Sequence, residues 1–466
     1  MEQDPAQTLL PGVSANDLAV VPRACSSEVP PRLRRADRAQ VLLRPCSLEE
    51  LLGHDHPART VWALVERWDL SGFLAGVLSR GEAPGRASTD PKILVALWLF
   101  AHTQDVGGGR ELDRLCESHD AYRWLAGGVS LNYHTLNDFR VQHEKALDDL
   151  LTQMIGALTF KGLVRVECIS QDGTRERAGA GRGSFKKRET LQEHLDEARA
   201  HVEELKRRAD DPAASAQQKA AVARCAAERV ERIEQAIEEV AKVEQAKAAQ
   251  KEKPSKHQPA KASETDPEAR QMRMPGGGTA PAYNIQFAVA VPEGDGSGAV
   301  SGDGSGGVCG NAPGRAIVGV DVTNAGSDVH ESEPMRRQVE ERTGRKIETQ
   351  LIDGGYIGLD EVTTAAQEGV TVYAPVPKPK KKGVDPHAPK KTDSPAVIEW
   401  RRRMGTPEAK ELYKQRAATV ETVNAECKTY RGLGPLLVRG MNKVRCVALW
   451  SALAYNLMHF GKHLVA

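Results

Sequence analysis

The hydrophobic period of this chain changes at Val164, and that change constrains its fold more than any other sequence feature. From Leu51 to about Leu163 apolar residues recur at helical spacing. PKILVALWLFAHTQ places Pro91 where a first-turn proline is tolerated, followed by Ile93, Leu94, Leu97 and Trp98. RELDRLCESHDAYRWLAG repeats the pattern and stops at Gly127–Gly128. YHTLNDFRVQHEKALDDLLTQMIGAL opens on Thr135, a good N-cap residue, with Leu136, Phe139, Leu147 and Leu151 on one face. A helical domain over 46–163 is expected, equally suited to DNA contact or to simple bundling.

Beyond Val164 the pattern is extended and β-branched. VRVECIS predicts a strand ending at Gln171-Asp172-Gly173, and four more are expected at 283–291, 316–324, 347–353 and 370–376. Helices are expected near 331–343 and 359–368, and one long helix over 395–428. That order describes an α/β fold with a mixed sheet over 164–466. Two insertions interrupt it. Residues 186–253 hold 15 basic and 15 acidic residues. Leu191, Leu195, Ala198, Val202 and Leu205 step at helical spacing, as do Val222, Ala226, Val230, Ile233, Ile237 and Val240. These runs predict a helical hairpin, with a dimerising coiled coil as the alternative. The second insertion, 292–314, is Gly/Ser-rich, and its GxGxxG lacks the strand-to-helix setting of a dinucleotide site. It is expected to be a flexible loop, and residues 1–45, rich in Pro, Ser and Arg, a disordered leader.

The eight cysteines include no CxxC pair, which removes zinc-ribbon and thioredoxin-like readings. No apolar run reaches the ~18 residues of a membrane span, and the N-terminus lacks a signal-peptide core. A soluble cytoplasmic protein with no membrane partner is expected. The formal net charge of +1 hides an asymmetry: residues 378–466 carry 18 basic and 7 acidic residues, so the other 377 are net negative. The basic residues cluster in PKPKKK (377–382, with Lys380 and Lys381), PKK (389–391) and Arg401, Arg402 and Arg403. Such a concentration suits phosphate.

Candidate chemistry rests on three carboxylates. Asp172 and Asp353 are each expected at a strand end and each precede a glycine. Asp-Gly also makes a good turn on its own. Glu421 lies on the expected long helix, with Lys428 two turns further on the same face. Three carboxylates with no His or Cys suit hard, oxygen-loving cations, Mg²⁺ or Mn²⁺. Two such ions would serve phosphodiester displacement.

On ISQDGTRERAGAGRGSFKKR, YNIQFAVAV, DVTNAGSD, LIDGGYIG and YKQRAATVETVNAECK, together with the helical motifs above, the chain resembles the DDE transposases of bacterial insertion sequences. The resemblance runs from about Pro45 to Phe460. It implies an RNase H-like catalytic domain with Asp172, Asp353 and Glu421 as the catalytic, metal-binding triad. It also implies that Tyr413, Arg416 and Lys428 engage transposon-end DNA. Four residues separate Arg416 from Glu421 where many relatives have three, and Ala290 stands where relatives often carry an aspartate. The implied partners are double-stranded DNA (terminal inverted repeats and target) and further copies of the chain in the active complex, on the bacterial nucleoid. A nuclease without strand transfer and a non-catalytic DNA-binding or assembly protein are the alternatives.

Overall fold

The computed structural model describes residues 47–77, 79, 87–207, 216–249, 259–292, 315–379 and 383–466. The expected leader, nearly all of the 292–314 loop, and Lys380 and Lys381 lie outside the described residues.

Seven helices come first: Pro57–Val65 (α1), Ser71–Leu74 (α2), Pro91–Thr103 (α3), Gly109–Ser118 (α4), Asp120–Ala126 (α5), Tyr133–Gln142 (α6) and Glu144–Phe160 (α7). Pro91 starts α3 and Asp90 caps it, its side chain accepting from Lys92 N at 2.9 Å. Gly127 ends α5 in the left-handed region, φ 59°, as its sequence predicts. Thr135 is not a cap. Asn132, three residues earlier, caps α6 by accepting from Thr135 N at 2.9 Å. The single helix expected after Thr135 is broken at His143, whose ring packs on Phe73 and Phe139.

The sheet is built from Cys168–Arg177 (β1), Arg270–Arg273 (β4), Thr279–Ala290 (β5), Ile317–Thr323 (β6), Thr349–Leu351 (β7) and Thr371–Tyr373 (β8). Phe185–Lys186 (β2) and Ala262–Ser263 (β3) form a separate two-stranded ribbon. The order is β4-β5-β1-β7-β8, with β6 beside β4 on the same edge of β5. β1 runs antiparallel to β5 and parallel to β7, so the sheet is mixed. The first strand lies further along the chain than its β-branched residues predict. Val164 and Val166 are core residues ahead of the strand. The polar stretch 171–177 is extended because it pairs with β5, from Gln171↔Ala288 to Arg177↔Ala282. Here tertiary pairing overrides local propensity.

Between β2 and β3, Arg188–Arg207 (α8) and Ala216–Ala249 (α9) form the expected hairpin. Arg188 pairs with Glu244 and Arg199 with Glu234, which makes the helices antiparallel. Leu191, Leu195 and Ala198 bury against Ile233, Ala236 and Val240. Val222, expected in that seam, is exposed. Glu239 of α9 pairs with Arg270 of β4, tying the hairpin to the sheet.

After Ser332–Thr343 (α10) and Leu359–Gln367 (α11), the long helix expected over 395–428 is three: Pro395–Met404 (α12), Pro407–Arg416 (α13) and Thr422–Tyr430 (α14). Thr406 precedes Pro407 and leaves the helical region, as a pre-proline residue tends to. Its hydroxyl caps α13 by accepting from Ala409 N. Met441–Val465 (α15) is buried on most sides, as helices apolar all round are. It packs on β5 and β6 as well as on α1, α3, α6 and α7, so the helices and the sheet share one core. Asn456 of α15 fixes this contact: its amide exchanges two 2.9 Å hydrogen bonds with the backbone of Ile317.

Candidate active site

β7 pairs with β1 only over Cys168–Ser170. From Gln171 onward the β1 edge that faces β7 has no neighbouring strand among the described residues, and the candidate site lies there. Asp172 is therefore mid-strand, not at a strand end. Asp353 follows β7 by two residues and caps a short 3-10 turn, Gly354–Tyr356, its carboxylate accepting from Gly354 N at 2.6 Å.

Glu421 arrives through a distortion. Ala417–Glu421 is a π-helical turn joining α13 to α14. In an α-helix, residues five apart do not meet, since neighbours lie three or four apart. The wider i→i+5 spacing absorbs one extra residue and brings Arg416 onto Glu421. The four-residue gap in the sequence is accommodated here. Arg416 Nη1 donates to Glu421 Oε1 at 2.8 Å, and Nη2 to Asp172 Oδ1 at 2.8 Å. Asn424 donates to Asp172 Oδ2 at 3.1 Å. The Arg416 side chain is only 9% exposed and its Nε has no partner, so two carboxylates and their guanidinium form a tight unit.

Burial pushes the Asp172 carboxyl up to about 6; Arg416 opposes that, while Asp353, Glu421 and Asp328 add to it. Tyr413, half-buried beside the same groups, is pushed up to about 12, chiefly by burial. Burial works against the Arg416 charge, but Asp172, Tyr413, Asp353 and Glu421 together hold its pKa above the ordinary value. Like charges crowd here, and one cation relieves them.

Asp328, in the turn after β6, is a fourth carboxylate that the sequence reading passed over. Asn284 and Gln286 donate to its Oδ1 at 2.6 and 2.8 Å. Tyr356 donates in turn to Gln286, joining this cluster to the turn that carries Asp353. Gly173 leaves room for it. A Cβ there would lie 2.5 Å from Asp328 Oδ1, 2.7 Å from Asn284 Oδ1, and closer still to Gln286 Nε2. The available signal was the closing aspartate of DVTNAGSD, placed just past a strand.

The basic residues fall differently from expectation. Lys428 pairs with Glu176 of β1 at 2.7 Å, not with Glu421. Arg401 does not face solvent: it is buried in an ion pair with Asp393 and also donates to Pro386 O. Arg403 reaches the Val372 carbonyl and lies over the Tyr373 ring. Arg402 alone of the three is exposed, paired with Glu399 on its own helix. The physical reason is helical phase, because Arg401 shares the inward face with Val397, Trp400 and Met404.

Two family models match the chain: the transposase domain (DUF772) over residues 46–142, and the transposase DDE domain over residues 381–460. The first covers α1 to α6, and the second covers Tyr413, Arg416, Glu421 and Lys428. Both describe transposases, which sets the class of protein. With a DDE domain around Glu421, these two stretches of the chain are similar to DDE transposases. No curated protein and no solved structure matches it. Among the described residues, no helix is long and apolar enough to cross a membrane.

Proposed function

We propose that this transposase cuts the ends of its element and joins their 3′-hydroxyls to target DNA, using an RNase H-like core with Asp172, Asp353 and Glu421 as its catalytic triad. The observation that carries the reading is the linkage of Asp172 to Glu421 through Arg416, with Asp353 close enough to raise the proton affinity of Asp172. Among the described residues no three His, Cys, Asp or Glu side chains already converge as a metal cage. The donor set nonetheless fits Mg²⁺ or Mn²⁺: it is oxygen-only, and its like charges need more counter-charge than the Arg416 guanidinium that bridges Asp172 and Glu421. Asp172, Asp353 and Glu421 would hold two such ions. When bound, these activate a water or 3′-hydroxyl and stabilise the leaving oxygen.

The chain's own residues then have distinct tasks. Asn424 orients the Asp172 carboxylate. The Gly354–Tyr356 turn holds Asp353 at the open edge of β1. Arg416 is in place to turn to a DNA phosphate once its two carboxylates are balanced otherwise, with Tyr413 beside it and Lys428 further along β1 to extend that contact, while exposed Arg402 is assigned to DNA on charge alone. Arg401 and Arg403 support α12 from within, while Lys380 and Lys381 are assigned to DNA on charge alone. Synapsis of two element ends calls for more than one copy of the chain in the active complex.

Purified protein, a duplex carrying the element's terminal repeat, and Mg²⁺ provide the test. Cleavage with joined products is expected, and Asp353→Ala should abolish both. Cleavage without joining points to a nuclease, binding without cleavage to an assembly protein, and full activity in Asp353→Ala removes the triad.

A further inference from the structure

The arginine-rich run at 401–403 turns largely inward, whereas other arginines, far apart in sequence, gather at the far end of β1. Arg177 closes the strand, and Arg182 follows in the next loop; both are exposed and line one surface pocket with Thr279, Ala280 and Pro281 at the start of β5. Arg439, also exposed, comes from the segment before α15 and donates to Gly179 O, between those two arginines. Arg273 ends β4 opposite Thr279 and is exposed as well. Arg175 braces the group from within, donating to the carbonyls of Arg273 and Gly326.

None of Arg177, Arg182, Arg273 and Arg439 forms an ion pair with an acid among the described residues. The nearby acids are occupied. Glu176 holds Lys428, Glu268 accepts from Met441 N, and buried Asp266 accepts from Tyr283 and Gly440. Four exposed guanidinium groups with no carboxylate at ion-pair distance among the described residues, Arg439 acting on buried Asp266 only from further off, make a surface for a polyanion, and arginine's fork suits phosphate oxygens.

We infer that this surface grips the phosphate backbone of duplex DNA beside the bond to be cut; the inference rests on the transposition reading above. Asp172 and Arg177 lie five residues apart on one strand, which at ~3.4 Å per residue is roughly 17 Å, and the odd spacing turns Arg177 to the opposite face of the sheet from Asp172. Lys428, paired with Glu176, stands on the Asp172 face, and the arginines gather around the end of the strand beyond it. For a duplex lying along β1, that length is about five base pairs at ~3.4 Å per base pair, so the surface around the end of the strand would meet it about that far from the reacting phosphate.

The test uses the full chain and a labelled duplex carrying the terminal repeat, without divalent metal, followed by anisotropy across a salt series. Arg177→Gln, Arg182→Gln and Arg439→Gln combined should lower the slope of log affinity against log salt by about 0.9 per lost contact, or about 2–3 in all. The matching triple lysine variant should keep most of the slope. Phosphate-ethylation interference about five base pairs from the cleavage position should appear in the wild type and vanish in the glutamine variant. If the wild type binds and the glutamine variant keeps its slope, the surface is not a DNA site. Equal loss in the lysine variant likewise overturns the inference, since charge is retained there. A wild type that binds no terminal-repeat duplex overturns the transposition reading, and this inference with it.

Discussion

The two halves of β1 share a strand but not a role. Cys168–Ser170 is flanked by β5 on one side and β7 on the other, and Ile169 and Ser170 are fully buried. Gln171–Arg177 keeps β5 but has lost β7, and apart from Gly173 its residues are polar or charged. The first half is core; the second has one edge open, with Asp172 and Glu176 on one face and Arg177 on the other. The lesson is that a short neighbour can make a site. Where β7 ends, the sheet offers fixed backbone without a covering strand, and Asp353, Arg416 and Glu421 approach there.

Substitutions at successive points along β1 separate the halves. Ile169→Ala removes a fully buried side chain and should cost about 2–5 kcal/mol in urea unfolding. Exposed Arg177→Ala should stay within about 0.5 kcal/mol, and equal losses would erase the contrast. The next effect is pH-dependent. The Asp172 pKa rises on folding from 3.8 to about 6, so the folded state holds its proton more tightly. The resulting stabilisation is full below about pH 4 and is lost as pH rises through about 6, at most about 3 kcal/mol. Asp172→Asn should lack that decline, visible as the difference between the two proteins' stability curves. Gly173→Ala forces a Cβ into the Asp328 cluster and should cost about 1–3 kcal/mol. A neutral result would mean that the cluster relaxes freely. Smallest is Glu176→Gln, which removes the partly exposed pair with Lys428 and should cost about 1 kcal/mol or less.

Much of this was legible in the sequence, for identifiable reasons. The change of period at Val164 separated the helices from the sheet, and the stepped leucines of 186–253 gave the hairpin seam. Pro91 and Gly127 marked helix ends because their backbone constraints are local. Asp172 and Asp353 stood out as Asp-Gly pairs, but whether an aspartate ends a strand depends on its neighbours. The polar run QDGTRER is a strand only because β5 runs beside it. The spacing from Arg416 to Glu421 could not be interpreted on α-helical periodicity, since a π turn leaves no mark in residue type. Lys428 shares a helical face with Glu421 by count, yet Glu176 on β1 takes its charge. The inward turn of Arg401, by contrast, was available from Val397, Trp400 and Met404. The dense basic run drew attention to charge at the expense of phase.

The central claim is that Asp172, Asp353 and Glu421 form one divalent-metal site at the open edge of β1. Electron paramagnetic resonance of Mn²⁺, titrated into the protein with and without a terminal-repeat duplex, addresses it without depending on turnover. About two bound ions per chain are predicted for the wild type, with binding weakened in Asp172→Asn, Asp353→Asn and Glu421→Gln and lost in the triple variant. A triple variant that binds Mn²⁺ as the wild type does, or a wild type that binds none even with the duplex, contradicts the claim.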